Sequence, residues 1–151
     1  MRVVIQRVSQ AGVVIHSQDV CEIKKGLLIL LGVENEDTVD DVKWLTKKIS
    51  ALRIFSDENG KMNNSIIDVK GDIIVVSQFT LHAKTKKGNR PSYINAAKPE
   101  HAIPLYKRFI EMLRIASGQK IYCGEFGADM KVSLTNDGPV TIILDSKNKD
   151  I

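Results

Sequence analysis

Apolar positions along this chain recur at two spacings, every second residue and every third or fourth, and the changes between them predict its elements. Arg2 to Gln10 and Gly12 to His16 are rich in Val and Ile and are interrupted at Gln10, Ala11 and Gly12, which predicts two paired strands. Alternation puts Val3, Ile5 and Arg7 on one face. Arg7 is then a charge on an apolar face and needs a partner or a solvent-lined cavity; an edge-strand arginine snorkelling to water is the plain alternative. The run GLLILLGV, Gly26 to Val33, is apolar throughout, as in a central strand covered on both faces. Glu34 to Thr38 supplies a polar helix start, and Val42, Leu45, Ile49 and Leu52 follow at helical spacing with Lys47 and Lys48 outside.

The stretch SDENGKMNNS, residues 56 to 65, reads as a turn-rich loop, and GDIIVVSQFTLHA, residues 71 to 83, as another long strand. KTKKGNRPSY, residues 84 to 93, holds too much Lys, Gly and Pro for a buried element and predicts an exposed loop. From Pro99 to Ser117, Ala102, Leu105, Phe109 and Met112 mark a second amphipathic helix, with Pro104 tolerable only near its first turn and Gly118 as its cap. The remainder, from Lys120 to Ser146, suggests further strands, the last two joined through NDGPVT, residues 136 to 141. There is no internal repeat and no linker, so one domain over residues 1–151 is expected. Strands with two separate helices and several direct strand connections predict α+β, a mostly antiparallel sheet, rather than a βαβ succession.

Composition adds boundaries. A 43% hydrophobic and 26% charged chain is ordinary for a globular protein. No apolar run approaches the roughly 18 to 20 residues of a membrane span, and MRVVIQRVSQ meets polar residues too soon for a signal peptide. A cytoplasmic protein without a membrane partner is expected. The net charge of +4 and pI near 9.1 lean towards a polyanionic partner, because Lys and Arg release counterions from phosphates, although many basic proteins bind nothing. Cys21 and Cys123 form no CxxC motif, and His16, His82 and His101 show no ligand spacing, so buried reduced thiols and no metal are expected.

Candidate chemistry gathers in three stretches. If the strand ending in SQFTLHA continues, Thr80 and His82 share a face about 7 Å apart by Cα, within range of a hydroxyl and a base, but no acid is placed to orient the imidazole. GEFG, Gly124 to Gly127, lacks the Lys of a P-loop and the full dinucleotide fingerprint and reads as a bulge or turn. Phe126 within it is either a core residue or a ring open to base stacking. NDGPVT is by composition a turn.

Taken together, MRVVIQRV at the start, SQFTL at Ser77 to Leu81, NRPSY at Asn89 to Tyr93 and FGADMKVSLTNDGPVT at Phe126 to Thr141 closely resemble the D-aminoacyl-tRNA deacylase family over essentially the whole chain. The resemblance implies that family's barrel-like fold, a homodimer with its two sites at the subunit interface, and hydrolysis of the ester between a D-amino acid and the terminal adenosine of tRNA. It implies a cis Gly138–Pro139 bond entering the partner's pocket, where backbone oxygens read the substrate ammonium and an L side chain meets a wall. It further implies that Ser77, with backbone N–H groups near Phe79 and Thr80, holds the ester carbonyl, that Gln78 braces the pocket, that Phe126 and Met130 lie at the adenine, and that Arg7 helps hold the cross-subunit segment. No cofactor is implied, and the partner is aminoacyl-tRNA, not DNA. Glycine, without a side chain, should escape the filter. Two other classes compete: a non-catalytic RNA-binding protein, and a general esterase with a Thr nucleophile.

Overall fold

Strand β1 (Arg2–Ile15) is the axis of the fold, which is described from a computed structural model covering residues 1–151. It pairs antiparallel with β2 (Gln18–Ile23), β3 (Gly26–Gly32) and the last strand, β8 (Met130–Asp145). Between them come α1 (Val39–Ala51), a short hairpin of β4 (Phe55–Ser56) and β5 (Met62–Asn64), β6 (Asp72–Ser77), α2 (Pro99–Ser117) and β7 (Ile121–Cys123). The main sheet runs β2-β1-β3-β6-β7 with β8 also on β1, and it curls into a nearly closed barrel, giving the α+β class expected. Antiparallel pairs dominate, but β3–β6 and β6–β7 are parallel. Each parallel pair is bridged by a segment containing a helix, because parallel neighbours need a long crossover.

The helices cover one face. Val42, Leu45 and Ile49 of α1 and Leu105, Phe109 and Leu113 of α2 are buried against Val3, Ile5, Leu27, Ile29, Ile73 and Val75. Val8, Val13, Ile15, Leu28, Ile74 and Val76 form a second apolar cluster, so β3 is covered on both faces, as its unbroken apolar run requires. Thr38 caps α1: its hydroxyl accepts from the Asp40 N–H at 3.3 Å, and the Asp41 carboxylate accepts from the Thr38 N–H at 2.8 Å. Pro99 opens α2, Gly118 closes it at φ 67°, and Pro104 sits further in than the first turn, on the exposed side. No helix is long and apolar enough to cross a membrane.

Four expectations need correction. The first strand is not broken at Gln10 to Gly12: Ala11 is buried and paired with both Ile23 and Leu134, and the chain turns instead at His16 and Ser17, both with positive φ. The strand expected over residues 71–83 stops at Ser77. Its last rung is Gln78 N–H to Leu31 O at 2.8 Å, beyond which Phe79–His82 wind into a 3-10 turn that folds back on Gly32. A Cβ at Gly32 would lie 2.9 Å from the His82 ring, so the glycine makes that turn possible. NDGPVT does not join two strands in a hairpin; it lies inside β8, both halves of which pair antiparallel with β1. Both cysteines are free but half-buried rather than buried.

Candidate active site

The turn after β6 opens onto a cavity of about 270 Å³. Ser77, Gln78 and Phe79 form one side, and Phe126 and Met130 face them from the segment around β7 and the start of β8. Tyr106, from α2, closes the back. It is buried, its hydroxyl donates to Val75 O at 3.0 Å, and its ring meets Phe126 edge-on at 5.6 Å between centroids. Burial drives the Tyr106 phenol far above its ordinary pKa, so it is a neutral wall. Gly124 lets the Met130 thioether in: a Cβ there would sit 2.3 Å from the sulfur. GEFG is thus a turn, with Gly127 at φ 78°, that presents Phe126 half-buried at the pocket. A second depression, of about 330 Å³ between β1, β2 and β8, contains none of these residues.

Within the turn, Gln78 Nε2 donates to Thr80 Oγ1 at 2.6 Å, and the Leu81 N–H bonds back to Gln78 O. As the first residues of a 3-10 helix, Phe79 and Thr80 have backbone N–H groups without partners inside it. Phe79 lines the pocket and Thr80 follows it in the same turn; backbone donors of this kind suit an oxygen that gains negative charge. His82 does not join Thr80. The turn rotates it inward, where it is buried with Nδ1 3.9 Å from the Glu34 carboxylate and Nε2 without a hydrogen-bond partner. Thr80 consequently has a hydroxyl fixed by an amide and no adjacent base.

Arg7, Gly138 and Pro139 form a separate group that does not line this cavity. Val132 does line it, and Asn136 lies four residues further along β8, roughly 13 Å away at strand rise. Arg7 is buried, and its partners are backbone oxygens: Nε donates to Asp137 O at 2.9 Å and Nη1 to Ile54 O at 2.7 Å. The Asp137 carboxylate stands 3.7 Å from Nε. Gly138 has φ 132° and a cis bond to Pro139, and both residues are exposed. A side chain at Gly138 would meet Arg7 Nη2 at 2.7 Å. The Arg7 charge is thus answered by the neighbouring strand, and the arginine faces the Gly138–Pro139 segment of its own chain.

The basic loop, Lys84 to Arg90, is exposed from end to end and tied at its base by the Lys84–Ser92 bridge. It runs from the 3-10 turn to Tyr93, which touches the Phe79 ring edge-on at 4.9 Å. Sequence reasoning missed two residues. Tyr106 stands four after Ala102 and three before Phe109, a helical spacing that could have found it. Asn136, whose side-chain amide reaches across to β1, lay in NDGPVT without an assigned role.

A barrel-like α+β fold carries a pocket lined mainly by apolar side chains and rings, with Ser77, Gln78 and Asp129 as its polar members. The family model described as D-Tyr-tRNA(Tyr) deacylase matches residues 4–145, and the chain belongs to that family of D-aminoacyl-tRNA deacylases. It is 63% identical over 150 residues to the D-aminoacyl-tRNA deacylase of Flavobacterium johnsoniae, covering 99% of this chain and all of the relative. The Bacteroides fragilis protein of the same name is 61% identical over the same span. Among solved structures, one described as c-Myc DNA Unwinding Element Binding Protein superposes with a TM-score of 0.90 at 40% identity, covering 96% of this chain and 98% of that one. A probable eukaryotic D-amino acid tRNA deacylase superposes at 0.81 with 17% identity over 95% and 97%, a likeness of fold. Membership makes the chain a D-aminoacyl-tRNA deacylase, an ester hydrolase whose substrate is an aminoacyl-tRNA.

Proposed function

We propose that this chain works as a homodimer in which the Gly138–Pro139 segment of one copy completes the pocket of the other, so that D-aminoacyl and glycyl esters of tRNA are hydrolysed and L-aminoacyl esters are refused. One observation carries the reading. The segment is exposed and braced by Arg7, yet it lies away from the cavity of its own chain. A second copy is the source that can bring the two together.

The terminal adenine rests against Phe126, Met130 and Tyr106, and the ester carbonyl accepts from the Phe79 and Thr80 N–H groups with Ser77 beside them. Each well-placed donor is worth about 3 kcal/mol as charge develops on that oxygen. Gln78 holds the Thr80 hydroxyl, which supports the turn and does not attack. The substrate ammonium donates to backbone oxygens of the partner's Gly138–Pro139 segment; proline offers no competing N–H. With ammonium and carbonyl both fixed, a D side chain points outward and an L side chain meets the wall. A water oxygen then adds to the carbonyl carbon and gives up its proton with help from the ribose 2′-hydroxyl. The C–O bond to the 3′-oxygen breaks, that oxygen takes a proton, and amino acid and tRNA leave. The exposed cations at Lys84, Lys86, Lys87 and Arg90 serve in this reading as contacts to acceptor-stem phosphates, which position without reading sequence. The working place is the cytoplasm, with tRNA as the polyanionic partner.

The test is loss of the aminoacyl group from D-tyrosyl-tRNA and L-tyrosyl-tRNA in parallel. Selective loss from the D form supports the reading, and equal loss from both points to an unselective esterase. Glycyl-tRNA should be cleaved where L-alanyl-tRNA is not; efficient cleavage of L-alanyl-tRNA refutes the steric filter.

A further inference from the structure

Around Gly138, β8 leaves the ladder. Gln6 pairs with Thr141 and Val8 with Asn136, so a single residue of β1, Arg7, stands opposite the four residues 137 to 140. An excursion of this size removes the rungs that would fix its ends, and main-chain groups on the facing strand lose their regular partners. The Arg7 carbonyl is such a group.

The Asn136 side chain replaces the missing rung. Its Nδ2 donates one hydrogen to Arg7 O at 3.0 Å and the other to Val140 O at 2.9 Å. Both neighbours are acceptors, which fixes the end of the amide that faces them. One nitrogen therefore ties together the residue where the excursion begins, the residue where it ends, and the strand opposite. The Arg7 side chain holds the same excursion one residue further on, through Asp137 O. Val140 is buried and Gly138 and Pro139 are exposed, so the clamp sits at the root of the projecting tip.

We infer that Asn136 is a positioning residue that fixes the Gly138–Pro139 tip and thereby sets how strictly the enzyme separates D from L substrates, an inference that rests on the reading under Proposed function. The chemistry demands a neutral nitrogen with two hydrogens on a short stem. Aspartate has the same shape but presents two acceptors to two carbonyl oxygens, and alanine leaves both carbonyls unserved. Glutamine keeps both hydrogens on a longer stem. A root released in this way lets the tip yield to an L side chain, whereas the reacting groups on the turn after Ser77 belong to another part of the fold and stay in place.

The experiment compares the native enzyme with Asn136→Asp, Asn136→Ala and Asn136→Gln, measuring kcat/KM on D-tyrosyl-tRNA and L-tyrosyl-tRNA together with melting temperature. The expected result is an L-to-D ratio raised about tenfold or more in the Asp and Ala variants, from a small displacement of the tip, and raised less in the Gln variant. A ratio unchanged from native in a selective enzyme overturns the inference alone, also when melting temperature and D activity fall together, because that marks a role confined to stability. Should Asp and Ala fail to fold, the Gln variant decides: a ratio above native supports the clamp, and an unchanged ratio overturns it. A native enzyme that cleaves both substrates equally overturns the proposed function, and the inference with it.

Discussion

Replacing Gly138 with alanine puts a methyl group where the structure leaves no room. At φ 132° an L side chain is strained, a cost of about 1 to 3 kcal/mol. The new Cβ would also lie 2.7 Å from Arg7 Nη2, 2.9 Å from Val140 Cγ2 and 3.3 Å from Val140 N. The guanidinium cannot simply swing aside, since Nε and Nη1 are committed to Asp137 O and Ile54 O in a buried position. Moving it weakens at least one charge-assisted bond, worth roughly 1.5 to 3 kcal/mol. Together about 2.5 to 6 kcal/mol is at stake, which for a chain of this size lowers the melting temperature by roughly 5 to 24 °C. Gly60 is the control: it too has positive φ, 76°, but its Cβ would meet nothing within 4 Å. Gly60→Ala should therefore show the backbone strain alone, a few degrees. Thermal unfolding by circular dichroism gives both values, and the D-to-L rate ratio should fall only in Gly138→Ala. Equal shifts for the two variants, or a Gly138→Ala enzyme as selective as native, would refute the reasoning.

Thr80→Ala removes the acceptor for the Gln78 amide but, on the proposed mechanism, no nucleophile, so D-aminoacyl-tRNA hydrolysis should persist at a reduced rate; an ester trapped on Thr80 and seen by mass spectrometry would defeat this. Alanine at Lys84, Lys86, Lys87 and Arg90 together should flatten the log–log salt dependence of tRNA binding by roughly 0.7 to 0.9 for every phosphate that the loop no longer neutralises, and an unchanged slope would mean that the loop is only solvated. Burial alone would raise the pKa of Asp41, but bonds from Ser146, the Thr38 N–H and Lys147 outweigh it and hold the carboxyl at about 2. A depressed folded pKa means stability that is present above the unfolded value near 3.8 and lost as pH falls towards 2. Urea midpoints across that window should drop less steeply in Asp41→Asn than in the native chain, and parallel curves would contradict the assignment.

What the sequence made legible follows from how locally each feature is encoded. The helix at Val39–Ala51 could be read because its cap and its apolar stripe lie within one short window, and β3 because seven apolar residues in a row need cover on both sides. The end of β6 could not be read. Ser77 to His82 keeps a strand-like composition, and what stops the strand is the turn packing back on Gly32, more than forty residues earlier. The hairpin expected at NDGPVT failed for a related reason. Turn residues announce that the chain bends, and a bulge within one strand uses the same residues as a reversal between two. Arg7 shows both sides of the limit: alternation demanded a partner, and the partners are the carbonyls of Asp137 and Ile54, which any residue would supply and no residue type advertises.

That Arg7 and Asn136 are tied to backbone rather than to charged side chains bears on the proposed filter. A steric wall rejects an L side chain only by as much as the wall costs to displace, so its stiffness bounds the selectivity. Three hydrogen bonds touch the excursion directly: Arg7 Nε to Asp137 O, and the two from Asn136 to Arg7 O and Val140 O. At about 1 to 2 kcal/mol each they supply roughly 3 to 6 kcal/mol, equivalent to discrimination between about a hundredfold and about ten thousandfold. Bonds to neutral carbonyls hold that value across the range of salt and pH in which an ion pair at the surface would weaken. The Asp137 carboxylate, half-exposed and 3.7 Å from Arg7 Nε, is the one contact here that salt would screen. Selectivity on this reading should accordingly be insensitive to ionic strength even where tRNA binding, through the basic loop, is not.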